Sequence, residues 1–296
     1  MNAFILHLRD QNTGGPVTAG VLYRALPYWD VWWNDRLPDF TLLTRGQRLT
    51  VLLHGFNNDR EEGRQKLVRF IGCLEQKGST DLMVAVLWPG DGWAGPLSYP
   101  SEGRDADDTA DALLTWLISN VDESACLSFV GHSLGCRVVM RAAQRMVRDV
   151  QGKKPILDRI CLMAAAIDSD SLGKEGSTSY RAATEKADRL AVLASEQDGV
   201  LRWAYPMGDF TQTLLFRGER SGWALGRRGP EGCPPEVLAK IETRMADPNL
   251  NIGHSAYLPD PDRPPPQPDC TEAKSEQFVF EFLNRLPKPN WPAERP

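Results

Sequence analysis

Short apolar segments of strand length alternate with longer segments of helical periodicity along most of this chain. Parallel strands need long crossover connections, usually helices, so this alternation predicts an α/β fold with a mostly parallel central sheet and helices on both faces. The predicted strands are 4–8, 17–25, 49–53, 82–88, 126–130, 156–165 and 189–195, and 237–243 is either the last strand or a short helix. The predicted helices are 60–76, 105–121, 133–150, 179–187 and 274–286.

Right-handed crossovers bring the carboxyl ends of parallel strands to one edge of the sheet, where ligands bind in open α/β folds. We predict a single domain at 1–286. Within it, the Gly- and Pro-containing segments 89–103 and 200–250 are expected to cover the cleft as loops or a lid. The remaining 287–296 is predicted to be a C-terminal tail that frays.

Charge and composition exclude several classes of protein. The net charge is −5 and basic residues cluster only in pairs, so no nucleic-acid-binding surface is expected. Runs of about 18 apolar residues are missing, so no membrane span is predicted. The first residues lack the features of a signal peptide, and the six cysteines are widely spaced, so we expect a cytoplasmic protein with reduced thiols.

The sequence Gly-His-Ser-Leu-Gly at 131–135 matches the G-x-S-x-G pattern of a nucleophile elbow. A predicted strand ends just before it and a predicted helix follows it, which is the structural context that such an elbow requires. Side chains at Gly131 and Gly135 would collide with the neighbouring strand and helix. The pattern therefore predicts that Ser133 is a nucleophile raised above the sheet edge at a helix N-terminus, where a developing anion is favoured.

A serine hydroxyl needs a base to take its proton, and the chain contains four histidines. His7 falls in the opening strand, which we place away from the active edge. His54 ends a strand upstream of the serine, and His132 adjoins Ser133 in a turn that directs its ring away from the hydroxyl. Only His254 lies downstream, in a glycine-containing loop, as the chain order serine, acid, histidine requires. We predict His254 as the base, with a solvated loop histidine as the alternative.

The imidazole needs a carboxylate that fixes its tautomer and stabilises its positive charge. Asp198 follows the predicted strand 189–195 and Asp168 follows the preceding strand, so both can face the active edge. The later strand end lies nearer the histidine loop, which favours Asp198 and leaves Asp168 as the alternative acid or as a supporting, loop-capping residue. Glu196 is a more distant candidate.

A tetrahedral intermediate needs two preorganised N–H donors. The backbone amide of Leu134, directly after the nucleophile, can supply one of them. The sequence His-Gly-Phe-Asn-Asn at 54–58 follows a predicted strand, and the amide of Phe56 is the predicted second donor because Gly55 lets the backbone turn close to the serine. The alternative is an ordinary strand-ending turn in which the two asparagines only form the loop.

Over residues 48–286 the chain resembles the α/β-hydrolase superfamily, and more narrowly a bacterial family of uncharacterised α/β hydrolases. The resemblance rests on the loop at 54–58, Trp88-Pro89 after the next strand, the elbow at 131–135 and the late motif Gly253-His254-Ser255. It implies the α/β-hydrolase fold and esterase- or lipase-type activity with no metal or organic cofactor. It does not imply a particular substrate.

The predicted function is hydrolysis of a small-molecule or lipid-like carboxylic ester, in which Ser133 attacks the acyl carbon and His254, oriented by Asp198, transfers the proton. An acyltransferase or thioesterase would use the same residues, and a hydrolase-fold binding protein without turnover is the alternative from another class. No oligomeric state is predicted. Aromatic side chains that either line an acyl pocket or belong to the core are Trp88, Trp93, Tyr99, Trp203 and Tyr205.

Overall fold

The centre of the computed structural model is an eight-stranded sheet. The described residues are 3–13, 15–25, 39–90, 99–176, 179–202, 223–260, 262 and 271–295. The strands are β1 (Ala3–Arg9), β2 (Val17–Arg24), β3 (Arg48–Leu53), β4 (Leu82–Leu87), β5 (Cys126–His132), β6 (Ile156–Met163), β7 (Arg189–Ala194) and β8 (Ile241–Met245). They lie in the order β2-β1-β4-β3-β5-β6-β7-β8, and every pair is parallel except β1 with β2. This topology confirms the predicted α/β-hydrolase fold.

The five helices that the sequence periodicity predicts are present, and shorter helices accompany them. They are α1 (Phe40–Thr44), α2 (Arg60–Gln76), α3 (Tyr99–Asn120), α4 (Gly135–Arg148), α5 (Arg181–Lys186), α6 (Leu225–Arg228), α7 (Pro235–Leu238) and α8 (Ser275–Leu283). Short 3-10 helices occupy Pro248–Leu250 and His254–Tyr257. No described helix has both the length and the apolar character that a membrane span requires.

The two faces of the sheet are covered by different helices. In β3, Val51 packs on the face that carries α3 and α4, whereas Leu52 packs on the opposite face with α2 and α8. Successive side chains of a strand point to opposite faces, so a strand buried on both sides is apolar throughout. Each fully buried leucine or valine contributes about 1.5–3 kcal/mol to stability. This burial fixes the strand ends that carry the site.

Two segments refine the sequence prediction. The loop predicted at 89–103 is wrong at its end, because α3 begins at Tyr99. Pro100 is the second residue of that helix, and proline is tolerated in a first turn because the first amides of a helix have no intrahelical acceptor. The undecided segment 237–243 contains both alternatives in succession, since α7 ends and β8 begins within it.

The C-terminal residues pack against the rest of the protein. Trp291 is 2% exposed, and its Nε1 donates to the carbonyl of Ala273 at 2.7 Å. Glu294 forms an isolated β-bridge with Ala246. The expectation that 287–296 frays is therefore wrong for the stretch from Trp291 to Glu294. The single domain stays a prediction, and so do the lid segments apart from β8, which falls within 200–250 but belongs to the sheet.

The opening strand lies differently from what the sequence suggested. β1 runs parallel to β4 and places His7 beside Leu87, close to the carboxyl ends of the strands. β1 is separated from Ser133 across the width of the sheet, because β4 and β3 lie between β1 and β5. His7 is thus excluded as the base by strand order.

Candidate active site

Ser133 occupies the turn between β5 and α4 with a backbone φ of 54°, a value that residues with a side chain rarely adopt. Such a conformation costs about 1–3 kcal/mol and persists only where its surroundings hold it. The Ser133 amide donates to the carbonyl of Met163 at 3.0 Å, and the amide of Ala166 donates to the Ser133 carbonyl at 3.2 Å. The neighbouring strand end thus fixes the serine in its strained position.

Gly131 and Gly135, on either side of the serine, have no space for a side chain. A Cβ on Gly135 would lie 2.3 Å from the carbonyl oxygen of His54. A Cβ on Gly131 would lie 3.0 Å from the Cα of Cys136, in the first turn of α4. These contacts agree with the predicted reason for glycine at both positions.

His254 connects the serine to a carboxylate. Its Nε2 lies 2.7 Å from the Oγ of Ser133, and its Nδ1 lies 2.7 Å from the Oδ2 of Asp198. An ionised carboxylate only accepts hydrogen bonds, so the hydrogen belongs on Nδ1 and Nε2 accepts the hydrogen bond from the serine hydroxyl. The three side chains follow β5, β7 and β8, and they meet because those strands are parallel.

The two candidate acids have different partners. Asp198 is fully buried; its Oδ2 accepts from His254, and its Oδ1 accepts from the amide of Leu201 at 2.9 Å. Asp168 contacts the Nζ of Lys174 through its Oδ2 at 3.5 Å. Glu196, the third candidate, is exposed. The carboxylate that the fold brings to His254 is that of Asp198.

His132 supports the backbone of His254. Its Nε2 donates to the His254 carbonyl at 2.8 Å, and the two ring centroids are 5.1 Å apart. Burial, followed by the charge that His254 can carry, lowers the pKa of His132 to about 3. His132 is therefore a neutral donor near pH 7. No sequence pattern indicates this contact, because it joins residues from the ends of different strands.

A serine at the end of β7 also holds the histidine loop. Ser195 Oγ donates to the carbonyl of Ile252 at 2.7 Å and accepts from the amide of Gln197 at 3.2 Å. Ser195 is almost completely buried, so these hydrogen bonds are shielded from water. The loop with the acid and the loop with the histidine are thus joined by one hydroxyl.

His54, the first residue of the loop at 54–58, packs against Trp88. His54 Nδ1 donates to the Gly55 carbonyl at 2.8 Å, so its Nε2 is the acceptor for the Trp88 amide at 3.4 Å. Burial lowers the pKa of His54 to about 3, which keeps the ring neutral. Trp88 is fully buried and stacked on His54, so the proposal that Trp88 lines an acyl pocket is wrong. Side chains outside the described residues are those of Trp93, Tyr99, Trp203 and Tyr205.

Asn58 is buried, and its side chain holds the loop from inside. Its Nδ2 donates to the carbonyls of Gly55 and Phe56 at 2.9 and 3.0 Å. Its Oδ1 accepts from the Nζ of Lys66, on α2, at 2.5 Å. In the sequence, Asn58 is recognisable only as a loop-forming residue. Its contacts instead fix two consecutive peptide units next to Ser133.

Arg9 joins three segments at this sheet edge. The side chain is 1% exposed and donates to the carbonyls of Trp88 and Asn58 at 3.1 and 3.4 Å. It also donates to the carbonyls of Gln11 and Asn12 at 3.0 and 2.7 Å. A buried guanidinium needs such acceptors. Arg9 thereby ties the end of β1 to the loops after β3 and β4, which the sequence did not reveal.

The buried histidines make stability dependent on pH. Burial lowers the pKa of His7 to about 4, and those of His54 and His132 to about 3, from 6.5. Below pH 6.5 the unfolded chain binds these protons and the folded chain does not, so stability is full above pH 6.5 and falls toward pH 4. Each proton changes the free energy of unfolding by about 1.4 kcal/mol per pH unit.

We expect urea unfolding between pH 6.5 and 5 to show this loss, with the slope against pH giving the protons taken up. His7→Gln keeps a polar side chain that does not titrate, and it should reduce that uptake by one proton. His7 is remote from Ser133, so the substitution should change the pH dependence of stability without changing catalytic activity. An identical slope in wild type and variant would show that His7 is already protonated in the folded protein.

Within the described parts of the chain, no group of three or more histidine, cysteine, aspartate or glutamate side chains is arranged to hold a metal ion. The residues gathered at the sheet edge are a hydroxyl, an imidazole, a carboxylate and backbone amides. This set can transfer a proton from a nucleophile and stabilise a developing anion.

A family model described as “Alpha/beta hydrolase of unknown function (DUF900)” matches residues 36–207, more than half of the chain. The chain belongs to this family. The matched region includes the turn at Ser133 and the buried Asp198, and it ends before His254. No curated protein matches the sequence.

Several solved structures are similar to this DUF900 hydrolase. Esterase PE8 is 11% identical, with 85% of this chain and 97% of that chain covered at a TM-score of 0.42. The Pyrococcus furiosus esterase Pf2001 is 13% identical, covering 81% and 83% at 0.41. Carboxyl esterase 2 from the mycorrhizal fungus Tuber melanosporum is 13% identical, covering 81% and 79% at 0.41.

Proposed function

We propose that this DUF900 hydrolase is a serine esterase that cleaves carboxylic esters through an acyl-enzyme. The observation that carries the proposal is the pair of 2.7 Å contacts that joins Ser133 Oγ to His254 and His254 to Asp198. A hydroxyl is a weak nucleophile on its own, and a base in hydrogen-bond contact activates it. The buried carboxylate fixes the tautomer that leaves Nε2 able to accept a proton.

The reaction has two halves. Ser133 Oγ attacks the acyl carbon while its proton passes to His254 Nε2, and the ester carbonyl becomes an oxyanion. Nε2 then returns the proton to the departing alkoxide, which leaves the acyl group on Oγ. In the second half, water gives its proton to the same nitrogen and attacks the acyl carbon. Collapse of that intermediate releases the carboxylic acid and restores the hydroxyl.

Backbone amides of Leu134 and Phe56 are the proposed donors to the oxyanion. Leu134 stands at the N-terminus of α4, where amides and the helix dipole favour negative charge. Gly55 supports the second assignment, because a Cβ on it would lie 2.7 Å from the Cβ of Ser133. The backbone before Phe56 therefore runs directly beside the nucleophile. Losing one such donor typically lowers the rate about 10²–10³-fold.

Asn58 is the proposed orienting residue for the Phe56 amide. In a trans peptide the C=O and N–H point in opposite directions, and the Gly55 carbonyl belongs to the same peptide unit as the Phe56 N–H. Asn58 Nδ2 and His54 Nδ1 both donate to that carbonyl, at 2.9 and 2.8 Å. Holding the carbonyl from one side directs the N–H to the other.

We expect Asn58→Asp to lower kcat about 10–100-fold, with KM changed less than about threefold, because misplacing a catalytic group by about 1 Å costs rate rather than ground-state binding. The aspartate has the same shape and keeps an oxygen for Lys66, but it has no N–H for the carbonyls. Asn57→Asp is the matched control, since Asn57 is the exposed neighbour in the same loop. Equal losses in both variants would refute the orienting role.

Burst kinetics on p-nitrophenyl esters of increasing chain length test the proposed reaction. A burst equal to the enzyme concentration is expected, and a fluorophosphonate should label the enzyme, with peptide mass mapping placing the label on Ser133. Acyl transfer to an added alcohol in preference to water would instead assign an acyltransferase. Preference for a thioester over the matching ester would assign a thioesterase. Absence of both turnover and label would favour a binding protein without catalysis.

A further inference from the structure

A turn with three large side chains lies at the same sheet edge as Ser133. This arginine turn, residues 223–228, crosses the ends of β6 and β7: the Gly226 amide donates to the Ala165 carbonyl at 2.9 Å, and the Ser195 amide donates to the Gly226 carbonyl at 2.9 Å. A Cβ on Gly226 would lie 2.1 Å from the amide nitrogen of Ala165. The turn is therefore seated tightly on the strand end that also holds the serine.

Two guanidinium groups of the arginine turn stack on one indole. The Cζ atoms of Arg227 and Arg228 lie 5.0 and 4.6 Å from the ring centroid of Trp223. Each such contact is worth about 0.5–1 kcal/mol at an exposed site. Trp223 is 44% exposed, so the indole on which the two guanidinium groups stack is open to solvent. Stacking holds two like charges together that would otherwise separate.

Neither guanidinium of the arginine turn has a carboxylate partner in the described ranges. Other arginines of this acidic chain do have one, as with Arg137 and Asp107 or Arg244 and Glu294. In Arg227, Nε and Nη1 are shielded from solvent and lack a hydrogen-bond acceptor. An unpaired N–H shielded from water is costly, so the group favours an incoming acceptor.

Two other arginines act on the guanidinium of Arg227. Burial lowers its pKa first, and the charges of Arg228 and Arg202 lower it further. Glu196 and Asp198 act in the opposite direction. A bound anion would offset the mutual repulsion of the arginines.

We propose that the arginine turn is an anion-binding subsite of the cleft, and that the natural ester carries a carboxylate or phosphate group which Arg227 and Arg228 bind. The inference rests on the proposed esterase function. Guanidinium groups form short, charge-assisted and often bidentate hydrogen bonds with such groups. The subsite would select among esters, whereas the serine and histidine would act on the ester bond common to all of them.

Two matched ester pairs test the subsite. Mono-p-nitrophenyl suberate and p-nitrophenyl octanoate have the same chain length and differ by a carboxylate on the acyl side. 4-Acetoxybenzoate and 4-acetoxybenzamide differ by a carboxylate on the alcohol side. We expect at least one anionic ester to have the lower KM, with the difference shrinking at high salt. Competition by inorganic phosphate, compared with benzoate, tells a phosphate site from a carboxylate site.

We expect Arg228→Gln and Arg227→Gln to raise KM for the preferred anionic ester about 10-fold and to leave the neutral partner unchanged. Arg228→Lys keeps the charge and should restore part of the effect. Arg148→Gln removes an exposed charge at the far end of α4 and is the control. If the arginines act through the charge of Asp198 instead, the substitutions will shift the pH profile of kcat for neutral and anionic esters alike, which would overturn the proposal.

Direct binding keeps the subsite testable if ester turnover fails. Ser133→Ala protein should bind mono-p-nitrophenyl suberate or 4-acetoxybenzoate more tightly than its neutral partner, measured by equilibrium dialysis. Adding Arg228→Gln should remove that difference. Equal binding of both members in each pair, with and without Arg228, would refute the subsite independently of the catalytic proposal.

Discussion

Replacing Ser133 with alanine is expected to lower kcat on the order of 10⁶-fold, the loss typical of removing the nucleophile of a serine hydrolase. The hydroxyl is the atom that His254 contacts at 2.7 Å, and alanine leaves that imidazole without a nucleophile to activate. The measurement is p-nitrophenyl butyrate turnover, with fluorophosphonate labelling as the second readout. Both should disappear while circular dichroism stays unchanged.

Ser133→Gly is the matched variant, because it removes the same oxygen and also relieves the backbone. Glycine adopts the φ of 54° without the penalty that serine and alanine incur. We expect Ser133→Gly to be as inactive as Ser133→Ala but about 1 kcal/mol more stable. Both variants are to be purified away from contaminating esterases. Activity above 1% of wild type in both would then refute the assignment of Ser133 as the nucleophile.

Strand positions were predictable because parallel strands are buried on both faces. β3, β4 and β7 are nearly continuous apolar runs, and each lies where the apolar pattern places it. Helix α3 shows the limit of this reasoning. Its first turn contains Pro100, and in a sequence proline reads as loop unless the position of the helix start is already known.

Trp291 shows a different limit. A single tryptophan among prolines and charges has no periodicity, so its burial depends on what the other segments present to it. Its indole N–H reaches a carbonyl just before α8. Packing of this kind is a tertiary effect that overrides local propensity.

The residues of the candidate site also fall into those that the sequence can reveal and those that it cannot. The elbow at Ser133 is local, because its constraints act between residues within one turn, and the sequence records them. His254 was accessible by elimination, since only four histidines exist. His132 and Arg9 were not accessible, because each acts through hydrogen bonds to residues far away in the chain. Asn58 acts on carbonyls two and three residues away, but the sequence does not show whether an asparagine of this loop turns inward or faces solvent. Nothing in a single sequence marks such partners.

The choice between Asp198 and Asp168 could be made only in part from the sequence. Both follow parallel strands, so strand order alone allows both carboxylates to reach the active edge. What separates them is loop geometry. The residues after Asp198 are helical, and the amide of Leu201 holds its Oδ1, which turns Oδ2 to the imidazole. The loop after Asp168 instead supplies Lys174 as a partner.

Asp198→Asn is expected to lower kcat about 10⁴-fold, whereas Asp168→Asn should change it less than about threefold. Both substitutions preserve shape, so the difference isolates the charge. An amide N–H at the position of Oδ2 favours the tautomer with the hydrogen on His254 Nε2, which then has no lone pair for the serine proton. Asp168→Asn removes a partly exposed ion pair with Lys174.

The measurement is kcat/KM on p-nitrophenyl butyrate at pH 7 to 8, with thermal unfolding recorded for each variant. Asp198 is fully buried, and its substitution also alters a buried hydrogen-bond network. Thermal unfolding therefore distinguishes a loss of catalysis from a loss of folded protein. A large loss in Asp168→Asn with near-normal turnover in Asp198→Asn would transfer the role of the acid to Asp168. Because both carboxylates follow adjacent parallel strands, that outcome would require only a movement of the loops and would leave the sheet unchanged.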